Sequence, residues 1–180
     1  MASHLDHTER MEYLDSLIAS IQQGDRDALG TLYHETSASV YSYALSILKN
    51  VHDAQDVLQD CFVSIFQSAN QYTSGGKPMA WIMTIAKNHS LMRLRQQSRT
   101  EELDDSDWSM PADSYSEEQT MDKLVIQQCM SRLNDDERQI LVLHAVAGFK
   151  HREIAALMDL ALPTVLSKYH RAIRKLRNYI

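Results

Sequence analysis

Asp53, Asp56, Gln59 and Asp60 recur at spacings of three and four within the stretch DAQDVLQDCFVSIF, residues 53–66. Side chains so spaced share one side of a helix, so the four make a strip of carboxylates and an amide. No Lys or Arg stands on that strip to neutralise it. Its chemistry is binding: it suits ion pairing with a basic partner, and the plainer alternative is a solvated helix face. Two later segments offer the opposite charge. Lys77, Lys87, Arg93, Arg95 and Arg99, with Asn88 among them, lie beside Tyr72 and Trp81. Cations interleaved with aromatics fit a surface that tracks a phosphate backbone and stacks unpaired bases; the alternative puts Trp81 in a core. Thr164, Ser167, Lys168, Arg171, Arg174 and Lys175 then fall on one side of the last periodic segment. Such cations neutralise phosphates or reach guanine edges, and the short hydroxyls contact backbone or bases; here the alternative is a helix hairpin with a solvated basic face.

Bond-making chemistry has no comparable signature. The chain has no phosphate-binding glycine loop, HExxH, CxxC or Gly-x-Ser-x-Gly pattern. Gly75-Gly76 follows no strand, so a nucleotide cradle does not fit. The expectation is a non-enzyme with no catalytic residue, cofactor or metal. Cys61 and Cys129 sit on apolar helix faces, where core packing is their expected role. No secretory h-region or membrane-spanning apolar run occurs, so the expected location is cytoplasmic, without membrane insertion.

The elements that must carry these side chains are helices. Gly (5) and Pro (3) are scarce in 180 residues, and the apolar periodicity is 3.6 rather than 2. Val57, Leu58, Cys61, Phe62, Ile65 and Phe66 form the apolar stripe behind the acidic strip. Before it, residues 1–10 read as a tail. Tyr13, Leu14, Leu17, Ile18 and Ile21 make a short helix stopped near Gly24, and Asp25 or Asp27 caps a longer one reaching Leu48. Asn50 to Asp53 is a turn with Asp53 as the expected N-cap. After the loop 72–78, a helix runs from Met79 to about Gln97. In the C-terminal part, one helix carries Leu124, Val125, Cys129, Met130 and Leu133. Asn134 to Glu137 is a capping box opening another, which ends at Gly148. A short helix, His151–Met158, a three-residue turn and a final helix over about 162–177 form a helix-turn-helix.

The net charge of −6 conceals alternating blocks. Residues 1–60 carry ten acids and three bases, residues 77–99 five bases and no acid, residues 101–118 eight acids and no base, and residues 150–177 seven bases and two acids. Residues 98–120 lose apolar periodicity and read as a flexible acidic linker, which over about 22 residues spans at most roughly 75 Å.

Over about residues 24–178 the chain resembles the extracytoplasmic-function (ECF) class of bacterial RNA polymerase sigma factors. The resemblance is carried by Gly24-Asp25 with Ala28, Leu32 and Tyr33; by Asp53 to Phe62; by Trp81-Ile82, Ile85 to Asn88 and Arg93 to Arg95; and by Leu133, Glu137-Arg138, Leu141, Gly148, Glu153 to Ala155, Thr164-Val165, Ser167 and His170 to Ala172. It implies an all-α chain of two small helical domains: an N-terminal tail and helix (1–23), a sigma region 2-like domain (24–99), the linker (100–121) and a region 4-like domain (122–180). It further implies that Asp53, Asp56, Gln59 and Asp60 dock on the clamp coiled coil of core RNA polymerase, with the flap as a further contact. Tyr72, Lys77, Trp81, Lys87, Asn88, Arg93 and Arg95 would engage the −10 element, with loop 72–77 holding an extruded base. Thr164, Ser167, Lys168, Arg171, Arg174 and Lys175 would read the −35 major groove of promoter DNA. An anti-sigma protein is the expected inhibitor. Met92 stands where the family often has an acid, Asp159 where the turn usually has glycine, and Leu166 where a basic residue is common. Two other readings remain: a stand-alone helix-turn-helix regulator using residues 122–180, and a degenerate sigma that binds polymerase without opening promoters.

Overall fold

Gly24, at φ +87°, ends the first helix, and the Asp25 side chain accepts the amides of Asp27 and Ala28 to begin the second. The computed structural model describes residues 7–100 and 127–178, with side chains described to residue 98 in the first segment. The expected acidic linker over 100–121, together with Leu124 and Val125, lies almost wholly outside those residues. The helices are α1 (His7–Gln22), α2 (Arg26–Leu48), α3 (Val51–Ser68), α4 (Pro78–Thr100), α5 (Asp135–Ala145), α6 (His151–Met158) and α7 (Leu162–Arg177). A 3₁₀ turn, Ala69–Gln71, follows α3, and residues 127–131 are helical before the turn into α5.

Two boundaries differ from the sequence expectation. α1 begins at His7, so residues 7–10 of the expected tail are helix; Leu14, Ile18 and Ile21 bury its inner face. α3 begins at Val51, and its N-cap is Asn50 rather than Asp53. Asn50 is extended (φ −128°, ψ 126°) and its side chain accepts the Asp53 amide. An amide oxygen three residues before a free N–H satisfies one of the four unpaired donors at a helix start, which leaves the Asp53 carboxylate for other partners. The capping box is as expected: Asn134 accepts the Glu137 amide at 2.8 Å and Glu137 accepts the Asn134 amide at 3.1 Å.

The core gathers Leu14, Ile18, Leu32, Tyr43, Ile65, Ile82 and Met83 from α1–α4. Ile140, Leu143, Phe149, Ile154 and Val165 belong to the same buried cluster, so the C-terminal helices pack on the N-terminal ones. Each such Leu or Ile contributes about 1.5–3 kcal/mol by leaving water. A smaller cluster of Leu133, Leu141 and Ala172 joins α5 to α7. Polar contacts reinforce the junction. Arg138, 3% exposed, donates to the carbonyls of Leu133, Met130 and Ser46, the last on α2. Lys49, left-handed at the end of α2, reaches Asp135 at 2.8 Å.

Candidate functional site

α3 sorts its side chains as a 3.6 period requires. Val57, Cys61, Phe62 and Ile65 are buried, while Asp56, Gln59 and Asp60 are exposed. Phe66 departs from the expected buried stripe: it is 40% exposed, near Val63 at 56%. The outer side of α3 thus runs from acids and an amide at its N-terminal end to apolar groups at its C-terminal end. Burial, then the adjacent Asp60 charge, pushes the Cys61 thiol up to about 12.

The acidic strip is not uncompensated. Arg93 comes across from α4, donating through Nε to Asp53 at 2.8 Å and through a terminal nitrogen to Asp56 at 2.8 Å. The Gln97 amide also donates to Asp53. The Asp53 side chain is only 13% exposed. The reason is register: α3 and α4 pack along their length, and residues 93 and 97, one helical turn apart, both face the start of α3. Asp56, Gln59 and Asp60 therefore form the accessible part of the strip.

The basic α4 segment divides in the same way. Arg95, Asn88 and Lys77 are exposed. Lys87 is half-buried, and its Nζ donates to the Leu157 carbonyl at 2.7 Å. That carbonyl lies in the last turn of α6, where oxygens lack helical partners and a cation suits the helix dipole. Tyr72, expected as an open stacking surface, is buried and donates its hydroxyl to Asp15 of α1 at 2.6 Å. Burial, aided by that bond, holds the phenol above its ordinary range. Trp81 is half-buried, its ring 5.1 Å from Tyr72. The side chain of Arg99 lies outside the described residues.

In the C-terminal part, α6 and α7 form the expected helix-turn-helix, with Asp159 left-handed (φ 56°) in the turn. Asp visits this region more readily than most residues. Ala161 occupies the N-cap of α7 and has no side chain to cap it. Val165 and Ala172 are buried beneath α7, and Ser167, Arg171 and Arg174 are exposed. Thr164 is half-buried. Lys168 pairs with Asp136 at 2.9 Å and Lys175 with Glu137 at 2.7 Å, so part of the expected DNA-reading charge braces α7 against α5. Glu137 is fully buried. Burial alone would raise its pKa, but the Lys175 bond, the Asn134 amide and the charges of Lys175 and Arg171 outweigh it and lower it.

Residues 32–100 match the family Sigma-70 region 2, and residues 123–176 match Sigma-70, region 4. An ECF RNA polymerase sigma factor SigK of Mycobacterium ulcerans (strain Agy99) is 24% identical over 176 residues, 94% of each chain. The SigK of Mycobacterium tuberculosis (strain ATCC 25177 / H37Ra) is 22% identical over 172 residues, 92% of each. The chain belongs to the ECF sigma factors. It acts in transcription initiation and is not an enzyme. Its fold is also that of CnrH, solved in complex with the cytosolic domain of CnrY (TM-score 0.68, 22% identity, 93% of this chain and 96% of that one). The sigma factor RpoE of Bartonella quintana, solved with the anti-sigma factor NepR, matches with a TM-score of 0.62 at 21% identity, over 83% and 94%.

Within this sigma factor, several structural partners escaped the sequence reading. Asp15, Gln22 and Arg138 hold loops and junctions, yet each sits in an ordinary amphipathic pattern. Asp15 and Gln22 are seven apart, two helical turns, on the same side of α1. That is the one signal a sequence offers for their joint action on a single loop. Among the described residues, no helix is long and apolar enough to cross a membrane, and no group of three or more His, Cys, Asp or Glu is placed to hold a metal.

Proposed function

We propose that this sigma factor engages core RNA polymerase through Asp56, Gln59 and Asp60 of α3, with Asp53 acting chiefly as the anchor for Arg93. A basic face on the clamp coiled coil, the partner that the resemblance implies, would be the complement of that strip. The −10 element is engaged by α4 and the loop before it, through Lys77, Asn88, Arg95 and the half-buried Trp81. The −35 element is read by α7 through Ser167, Arg171 and Arg174, with Thr164 at its entry. The observation that carries this reading is the joint exposure of the α3 acids and of the α7 cations, on two matched sigma regions of one chain. Lys87, Lys168 and Lys175 serve DNA only after leaving their present partners. The domain limits follow as 24–99 and 122–180, with the acidic linker between, and the location is cytoplasmic, where the polymerase is.

An anti-sigma protein is the proposed inhibitor. Support comes from the partners solved with CnrH and RpoE and from the exposed Val63 and Phe66 next to the α3 acids. A protein that covers both would block polymerase docking directly.

The test is run-off transcription with purified core polymerase on a genomic fragment library, with sequencing of the new 5′ ends. Discrete starts sharing two upstream motifs are expected. Polymerase binding without such starts would refute promoter opening.

A further inference from the structure

α1 contributes a polar clasp to the loop that precedes α4. Asp15 accepts the Tyr72 hydroxyl at 2.6 Å and the Gly75 amide at 2.9 Å through one oxygen and 3.1 Å through the other. One and two turns further along, Ile18 and Ile21 pin α1 into the core. Gln22 donates to the carbonyls of Ala69 and Tyr72, each at 2.9 Å. The start of the loop and its Gly75 turn are thus held by one helix, which lies outside the residues matched by Sigma-70 region 2.

The loop itself is tight. Gly75 is left-handed at φ +79°, and a Cβ at Gly76 would stand 2.9 Å from the Thr73 carbonyl and 3.3 Å from the Tyr72 hydroxyl. Exposed segments with such backbone normally sample many conformations, and ordering them on binding weakens the affinity by what the ordering costs. Here a carboxylate bonded to both a side chain and the backbone fixes the loop before any ligand arrives. Trp81 leans on Tyr72, so the position of the Tyr72 ring also sets that of the indole.

We propose that Asp15 is a positioning residue for promoter recognition: by clasping Tyr72 and Gly75 it pre-forms the loop 72–77 as the receptacle for a base drawn out of the −10 duplex. This rests on the reading of the loop as part of the −10 site. Asp15 itself touches no DNA. It acts by keeping the receptacle in one shape, so that a wrong base meets a fixed wall instead of a loop that adapts to it. Its removal therefore lowers discrimination between bases more than it lowers total activity.

The experiment uses the full chain with core polymerase and a promoter pool randomised across the −10 element. Asp15→Asn removes the charge at nearly constant shape. Tyr72→Phe deletes one hydroxyl and leaves the Gly75 bonds in place, so it serves as the milder variant. Wild-type protein is expected to show strong base preference at one −10 position. Asp15→Asn is expected to lose that preference by roughly tenfold, the scale of reordering one or two groups on binding, and Tyr72→Phe by less. Preferences at other positions and affinity for core polymerase are expected to stay unchanged. A uniform fall in transcript yield with every base preference intact, accompanied by a lower melting temperature, would show a purely structural bond and overturn the proposal. Unchanged preference in both variants would overturn it as well, while leaving the promoter reading in place. Wild-type protein that starts no promoter-specific transcript would remove that reading and the proposal together.

Discussion

Replacing Arg93 separates a DNA contact from a strut, and the structure sets the size of the effect. The Asp53 carboxylate is 13% exposed and the Arg93 side chain 36% exposed, with their closest approach at 2.7 Å. Arg93→Gln leaves that carboxylate with the Gln97 amide and the positive end of α3 as remaining partners. The loss therefore falls short of the about 3–5 kcal/mol typical of stranding a wholly buried charge. It exceeds the about 0.2–1 kcal/mol of an exposed pair. About 2 kcal/mol is expected, which for a chain of this size lowers the melting temperature by roughly 4–8 °C. The assay is a double-mutant cycle by urea denaturation with Arg93→Gln, Asp53→Asn and both together, with an expected coupling of about 1–2 kcal/mol. Run-off transcription well below the variant's melting temperature completes it: a strut variant keeps its −10 base preference there. A coupling below about 0.3 kcal/mol, or a lost −10 preference in fully folded Arg93→Gln, would refute the strut and place Arg93 on the DNA.

Asp56→Arg with Gln59→Arg reverses the exposed strip without entering the core; it is expected to abolish pull-down of core polymerase with an unchanged circular dichroism spectrum, and retained binding would discard the docking face. Arg171→Ala should weaken −35 duplex binding by about 1–3 kcal/mol if its guanidinium meets a base edge, and an unaltered footprint would take it off the interface. Glu137 has a lowered folded-state pKa, so it contributes stability above its ordinary value of 4.5 that is lost as pH falls through the lower, folded value. Glu137→Gln should therefore be less stable than wild type at pH 7, with the gap closing below pH 4.5; a gap independent of pH would assign the effect to packing. Cys61, its thiol pushed up to about 12, should resist alkylation at pH 8 in folded protein and react in urea, whereas rapid native labelling would mean that α3 opens locally.

Much of this sigma factor was legible in its amino-acid order because helices write their own punctuation. The Asn134–Glu137 box, the Asp159 turn and the span of α7 depend on neighbours within four residues, and so does the sorting of Asp56, Gln59 and Asp60 away from Val57 and Cys61. The charge blocks were equally plain, and they indicated binding to polyanions despite a net charge of −6.

What the sequence could not assign is the partner of each long side chain. Lys and Arg reach several ångströms from their own backbone, so a cation on the correct face of a helix can meet DNA or a carboxylate on the next helix. Packing of α4 against α3 gave Arg93 to Asp53 and Asp56; packing of α6 beside α4 gave Lys87 the Leu157 carbonyl; and the seat of α7 on α5 gave Lys175 to Glu137. Tyr72 turned inward for the same reason, because Asp15, 57 positions earlier, stands beneath it. Local spacing determined the helices and the charge each presents. The tertiary structure alone decided which charges remain for a partner, since that depends on distances between helices that no local pattern encodes.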